Sequence, residues 1–194
     1  MENNELRTKA REALSGNWGL AIGVTFVYML IVGGLGSIPL AGQIGSILIA
    51  GPMALGMAIF VLSLARNQEA KFDQLFQGFQ NFGTALGAYV LMLIYVLLWS
   101  LLLIVPGIIA AIGYSQVFYI LAEDNTIGIT EALKKSKSMM DGYKMKYFFM
   151  MLVFFGWSLL CILTLGIGFL WLIPYMYVSY ANFYDDIKNN KIAS

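Results

Sequence analysis

Of 194 residues, 59% are hydrophobic and only 12% are charged, about half the charged share with which a water-soluble domain covers its surface. Twelve Lys and Arg against eleven Asp and Glu leave a net charge of +1, too weak a field to gather nucleic acid or acidic substrates. With no histidine and a single cysteine, Cys161, the chain lacks His or Cys–His catalytic machinery, the usual zinc ligands and any intrachain disulfide.

The charges are confined to short stretches. Ala13 to Ala65, Gln74 to Ala122 and Tyr147 to Tyr184 contain none, in runs of 53, 49 and 38 residues. About 20 helical residues cross a hydrocarbon core of about 30 Å, so each run holds two crossings and a turn. The expected fold is therefore an all-α integral membrane protein: one domain, residues 1–194, of six transmembrane helices arranged as three hairpins. In chain order the spans are expected near Asn17 to Gly36, Gln43 to Ala65, Phe82 to Ile104, Gly107 to Ala122, Tyr147 to Thr164 and Gly168 to Tyr184. The turns within pairs carry glycine or proline: Gly33-Gly34-Leu35-Gly36 with Pro39, Val105-Pro106-Gly107, and Leu165-Gly166-Ile167-Gly168.

Each pair follows a short amphipathic stretch. Leu6, Ala10, Ala13 and Leu14 form the first apolar stripe, Phe72, Leu75, Phe76, Phe79 and Phe82 the second, and Ile129, Ala132, Leu133, Ser136, Met140 and Tyr143 the third. All three are expected as short interfacial helices lying in the membrane plane. Gly16, Gly78 and Gly142 close them at intervals of 62 and 64 residues, and Pro52, Pro106 and Pro174 recur in the pairs that follow. This suggests repeats over 1–66, 67–125 and 126–194; the plainer alternative is the ordinary loops of any multi-pass chain.

With six spans, every Lys and Arg falls on the side that holds both termini, which positive residues mark as cytoplasmic. The first span lacks an Ala-x-Ala-like cleavage site, so it is expected to be retained.

Several segments carry a resemblance to a known family: Asn4-Glu5-Leu6-Arg7 with Ala10-Arg11, LSGNW from Leu14, GPMALG from Gly51, LFQGFQNFG from Leu75, LLWSLLLIVPGIIA from Leu97, YSQVFYILAEDN from Tyr114, Ser138-Met139-Met140, LTLGIGFLWLIPY from Leu163 and ANFYDD from Ala181. Over nearly its whole length the chain resembles a bacterial membrane-protein family known as domain of unknown function 975. The resemblance implies a multi-pass inner membrane protein and brings no activity or site residues with it. A looser similarity, to the membrane portion of glycerophosphodiester phosphodiesterases, rests on helix layout alone.

Polar side chains inside spans are the main site candidates. Tyr114, Gln116 and Tyr119 on the fourth span, with Ser179 and Asn182 on the sixth, are expected to meet across a helix contact, either as interhelical glue or as a pocket lining. Lys134, Lys135 and Lys137 lie in a segment where five lysines face two acids, a net of +3 suited to anionic lipid headgroups or simply to setting topology. Glu123-Asp124 and Asp185-Asp186 read as solvated span ends, because neighbours on a helix point about 100° apart and make a poor metal clamp. Cys161, in apolar surroundings, is expected to be inert. No metal site or cofactor is expected.

No ionisable residue is expected within a membrane core, which argues against a proton-coupled pump. Convergent carboxylates for a membrane enzyme are also lacking. The favoured function is a non-catalytic accessory or scaffold protein that binds membrane lipids, other membrane proteins or a second copy of itself, in envelope maintenance or protection. The alternative is a permease or flippase for a neutral or amphipathic small molecule.

Overall fold

The computed structural model describes residues 1–36 and 41–192; Pro39 of the first expected turn lies outside the described residues. Among the described residues every regular element is helical. Leu6, Ala10, Ala13 and Leu14 recur at helical spacing, and α1 (Asn3–Leu14) buries all four on one face. Glu5 supports its start by accepting a hydrogen bond from the Glu2 amide at 2.9 Å. Gly16, at φ +84°, turns the chain in the left-handed region that glycine adopts freely, and α2 (Trp18–Gly36) leaves at 101° to α1.

α3 (Ala41–Ala65) runs through Pro52 and is the most enclosed of the long helices. A sharp connection leads to α4 (Gln74–Gln77), a 3-10 turn (Gly78–Asn81) and α5 (Phe82–Leu102). This segment lies against α3 backbone to backbone. A Cβ on Gly56 would sit 1.8 Å from the Leu75 carbonyl oxygen, and one on Gly78 would sit 2.0 Å from that of Pro52. α6 (Ile104–Tyr114) and α7 (Val117–Glu123) continue one another across a break, and α5 and α6 form a close hairpin in which Gly107 lies against Ser100. Three helices complete the chain: α8 (Ile129–Met139), α9 (Lys144–Leu163) and α10 (Phe169–Ile192). Gly142, at φ +82°, repeats ahead of α9 the turn that Gly16 makes ahead of α2.

Among the described residues, four segments are long and apolar enough to cross a membrane: Gly45–Ala65, Gln74–Leu101, Ile104–Glu123 and Lys144–Leu163. A fifth is reached if α1 and α2 are counted as one bent span. Six such segments were expected from the charge-free runs. The shortfall at α10 has a physical reason: Tyr175, Tyr177, Tyr180, Asn182 and Tyr184 lower its hydropathy. Tyr175, Asn182 and Tyr184 are buried against other helices, where an apolar surface is not needed.

Two of the short amphipathic helices are covered by other helices of the chain. α1 stands antiparallel along α10: Asn182 donates to the Leu6 carbonyl at 3.4 Å, and Arg11 lies 5.9 Å from the Tyr175 ring. α8 packs its apolar stripe, including Ala132, Leu133, Ser136 and Met140, against α5, α6 and α7. Periodicity reveals a face that must be buried without saying whether lipid or protein covers it. Of the second apolar stripe only Leu75 is buried, while Phe72, Phe76, Phe79 and Phe82 remain exposed.

Candidate functional site

The residues expected to form one polar cluster are each occupied separately. Ser179 donates to the Tyr175 carbonyl of its own helix at 2.8 Å, and Asn182 turns to α1. Tyr114 stacks on Tyr95 with centroids 5.8 Å apart, and Tyr119 stacks on Tyr184 at 5.4 Å. Gln116 is buried, and its side-chain amide donates to Ser115 Oγ at 2.7 Å while its Oε1 has no hydrogen-bond partner among the described residues.

Sequence periodicity placed Ser136 on an apolar stripe without assigning it a role, yet it holds the α6–α7 break. Its hydroxyl donates to the Gly113 carbonyl at 2.8 Å and accepts from the Gln116 amide at 3.3 Å, satisfying two backbone groups that an unbroken helix would pair internally. Nothing in the periodicity distinguishes this serine from a small core residue.

Three of the four carboxylates read as solvated ends, Glu123, Asp185 and Asp186, form an ion-pair clasp instead, while Asp124 stays exposed and accepts from Thr126. Arg66, just beyond α3, donates to both carboxylate oxygens of Asp185 at 3.1 and 2.6 Å and also to Glu123 at the end of α7. Lys188 bonds both Glu123 oxygens at 2.8 and 2.7 Å, and the Tyr184 hydroxyl donates to Glu123 at 2.7 Å. These cations offset the unfavourable placing of Glu123 at a helix carboxyl end. Asp186 points elsewhere, as adjacency on a helix requires, and accepts from Lys146 at 2.7 Å and from the Met1 amino group at 3.0 Å. Burial opposes ionisation of Asp186, yet these two cations hold its carboxyl below the usual carboxylate range. Asn3 adds a bond to the Lys146 carbonyl at 2.9 Å. The chain near residues 3, 66, 123, 146 and 186 thus meets at one end of the bundle. The clue available in the sequence was that isolated charges flank long apolar runs; which charges pair was not encoded locally.

Lys134, Lys135 and Lys137 are all exposed on α8, and Lys137 faces a cavity of about 270 Å³ that Trp99, Pro106, Tyr114 and Lys144 also line. A second cavity, of about 390 Å³, is bounded by Arg11, Trp18, Trp157, Trp171 and Tyr175, with Cys161 half-buried in its wall. At the opposite end from the clasp, Leu101, Ile104, Leu163 and Leu165 are highly exposed.

Among the described residues the fold is all-helical, with four helices, or five if the bent pair is one span, long and apolar enough to cross a membrane, and with an ion-pair clasp at one end. The chain belongs to the family described as "Protein of unknown function (DUF975)", whose model matches residues 1–112 and 100–191. No curated protein and no solved structure matches it.

Proposed function

We propose that the chain is a multi-pass protein of the bacterial inner membrane that crosses six times with both termini in the cytoplasm. In this reading it is a non-catalytic accessory or scaffold protein that binds lipid or membrane partners in envelope maintenance or protection. The observation that carries the topology is the clasp. Residues 3, 66, 123, 146 and 186 meet at one end, so the chain between 3 and 66, between 66 and 123, and between 146 and 186 each leaves that end and returns to it. α10 then serves as a crossing, shielded from lipid by α1, α3 and α9. The exposed Leu101, Ile104 and Leu163 suit hydrocarbon and not water. The accessory role is preferred to a permease because Ser179 and Asn182 use their hydrogen bonds within and between helices, leaving no shared polar lining with Gln116.

Cysteine labelling in intact cells tests the topology. In a Cys161→Ser background, Leu165→Cys is expected to react with an impermeant maleimide from outside. Gln68→Cys and Asn125→Cys are expected to react only after the membrane is permeabilised. External labelling at 68 or 125 refutes the six-crossing arrangement. The role is tested by rescue of a deletion phenotype: loss of rescue in a Lys134, Lys135 and Lys137 to glutamine variant supports surface binding, whereas loss in Gln116→Leu/Asn182→Leu alone favours transport.

A further inference from the structure

The two aromatic cavities are built alike. In the first, Arg11 lies five residues before the left-handed Gly16, and Trp18 lies two residues after it. In the second, Lys137 lies five residues before the left-handed Gly142, and Lys144 lies two residues after it. Each cavity then takes a tryptophan from the first helix of a neighbouring hairpin, Trp157 on α9 or Trp99 on α5. Each also takes a tyrosine from the second helix, Tyr175 on α10 or Tyr114 on α6. The four tryptophans of the chain are divided between these cavities, three in the first and one in the second.

The cations at the two matched positions have no carboxylate to neutralise them. Among the described residues neither Arg11 nor Lys137 forms an ion pair, and Lys144 reaches only the exposed Asp141, at 3.9 Å. α1 itself explains why Arg11, which lies over the Tyr175 ring, has no carboxylate partner. At about 100° per residue, Arg7 and Arg11 share one flank of the buried stripe, while Glu5 and Glu12 border a separate hollow on the other flank with Lys9. Tyr175 lies eleven residues along α10 from Asp186, about 16 Å at 1.5 Å per residue, so Arg11 sits well inside the bundle's length. A cation at that depth is costly unless it meets an anion.

Resting on the membrane reading above, we infer that each cavity binds one anionic phospholipid, its phosphate at Arg11 or at Lys137 and Lys144, and an acyl chain along the tryptophan side. The cavity volumes of about 390 and 270 Å³ are of the order used for small-ligand sites, enough for a headgroup and the upper part of a chain. Charge selects the headgroup, and the flat indole faces accept any acyl chain.

The test uses the full-length protein in vesicles containing lipids with brominated chains, which quench tryptophan on contact. In Trp99→Phe protein the remaining tryptophans report the first cavity; in the Trp18, Trp157 and Trp171 to phenylalanine variant, Trp99 reports the second. Brominated phosphatidylglycerol is expected to quench both in preference to brominated phosphatidylcholine, by about fivefold at the first site and about 25-fold at the second, the equivalent of roughly 1 kcal/mol for each basic residue, one at the first site and two at the second. Arg11→Gln should abolish the preference at the first site and Arg11→Lys should retain it. Lys137→Gln should reduce it at the second site only. Equal quenching by the two lipids, a preference that survives Arg11→Gln, quenching relieved by inorganic phosphate, or a response to brominated fatty acid but not to phosphatidylglycerol would each overturn the inference. Cysteine labelling of the same proteins separates the failures: correct topology without lipid preference removes only this inference, while wrong topology removes the membrane arrangement beneath it.

Discussion

Replacing Arg66 by glutamine should loosen three helices together. Arg66 donates two hydrogen bonds to Asp185 on α10 and one to Glu123 on α7 while itself following α3. Its side chain is 29% exposed, and those of Glu123 and Asp185 are 17% and 23% exposed. A fully exposed pair would contribute about 0–1 kcal/mol, and breaking a fully buried one costs about 3–5 kcal/mol. The partial burial here, with Lys188 still holding Glu123, places the loss near 2 kcal/mol. At this chain length that corresponds to a fall in Tm of about 4–8 °C, readable by thermal unfolding in a mild detergent. A double-mutant cycle with Asp185→Asn isolates the pair, and a coupling of at least about 1 kcal/mol is expected. Additivity within about 0.5 kcal/mol would show that the clasp does not hold α3 to α10, and the convergence used for the topology would lose its energetic basis.

Ser136→Ala should cost about 1–3 kcal/mol by leaving the Gly113 carbonyl and the Gln116 amide unpaired at the α6–α7 break, seen as a lower Tm with faster hydrogen exchange around residue 116. Gly56→Ala should be at least as damaging, because its Cβ would meet the Leu75 backbone, whereas Gly19→Ala in α2 meets nothing within 4 Å and should be neutral or slightly stabilising; equal Tm shifts would refute the close packing of α3 on α4. Asp186 titrates lower in the folded protein than in the unfolded chain, so its contribution is present above the ordinary aspartate value of 3.8 and is lost as pH falls through the folded value. Tm should therefore fall below about pH 4, and Asp186→Asn should remove part of that dependence; an unchanged acid profile in the variant would count against the Lys146 contact.

Where a residue's role was fixed by its immediate neighbours, the sequence was sufficient. The stripe of Leu6, Ala10, Ala13 and Leu14 is the buried face of α1, and the runs free of charge correspond to long helices. Gly16 and Gly142 were placed at helix ends and do turn there with positive φ. Gly78, assigned the same role by spacing, is instead a contact glycine with no Cβ to hold α4 away from α3. Spacing along the chain could not separate these uses, because one depends on local φ and the other on a backbone more than twenty residues away. The same limit hid the clasp: Asp185 and Asp186 look alike in sequence, and only the arrival of α3 and α9 on different sides gives them Arg66 and Lys146 as separate partners.

Tyrosines on α10 make sense in the same terms. α5 and α9 expose Leu, Ile and Phe side chains, which would suit a lipid surface. α10 is enclosed by α1, α3 and α9, so its side chains are selected for ring packing and hydrogen bonding between helices. Tyr180 and Phe183 enclose Tyr147, Tyr175 meets Phe154 and Trp157, and Tyr184 reaches Glu123 in the clasp. The ring stack on α10 therefore links the clasp at one end to the tryptophan cavity around Tyr175. A bulky substitution at Ala181, which is fully buried on the same helix, should disturb Tm and lipid-dependent tryptophan quenching together. A loss of stability with quenching intact would show instead that the two ends of α10 act independently.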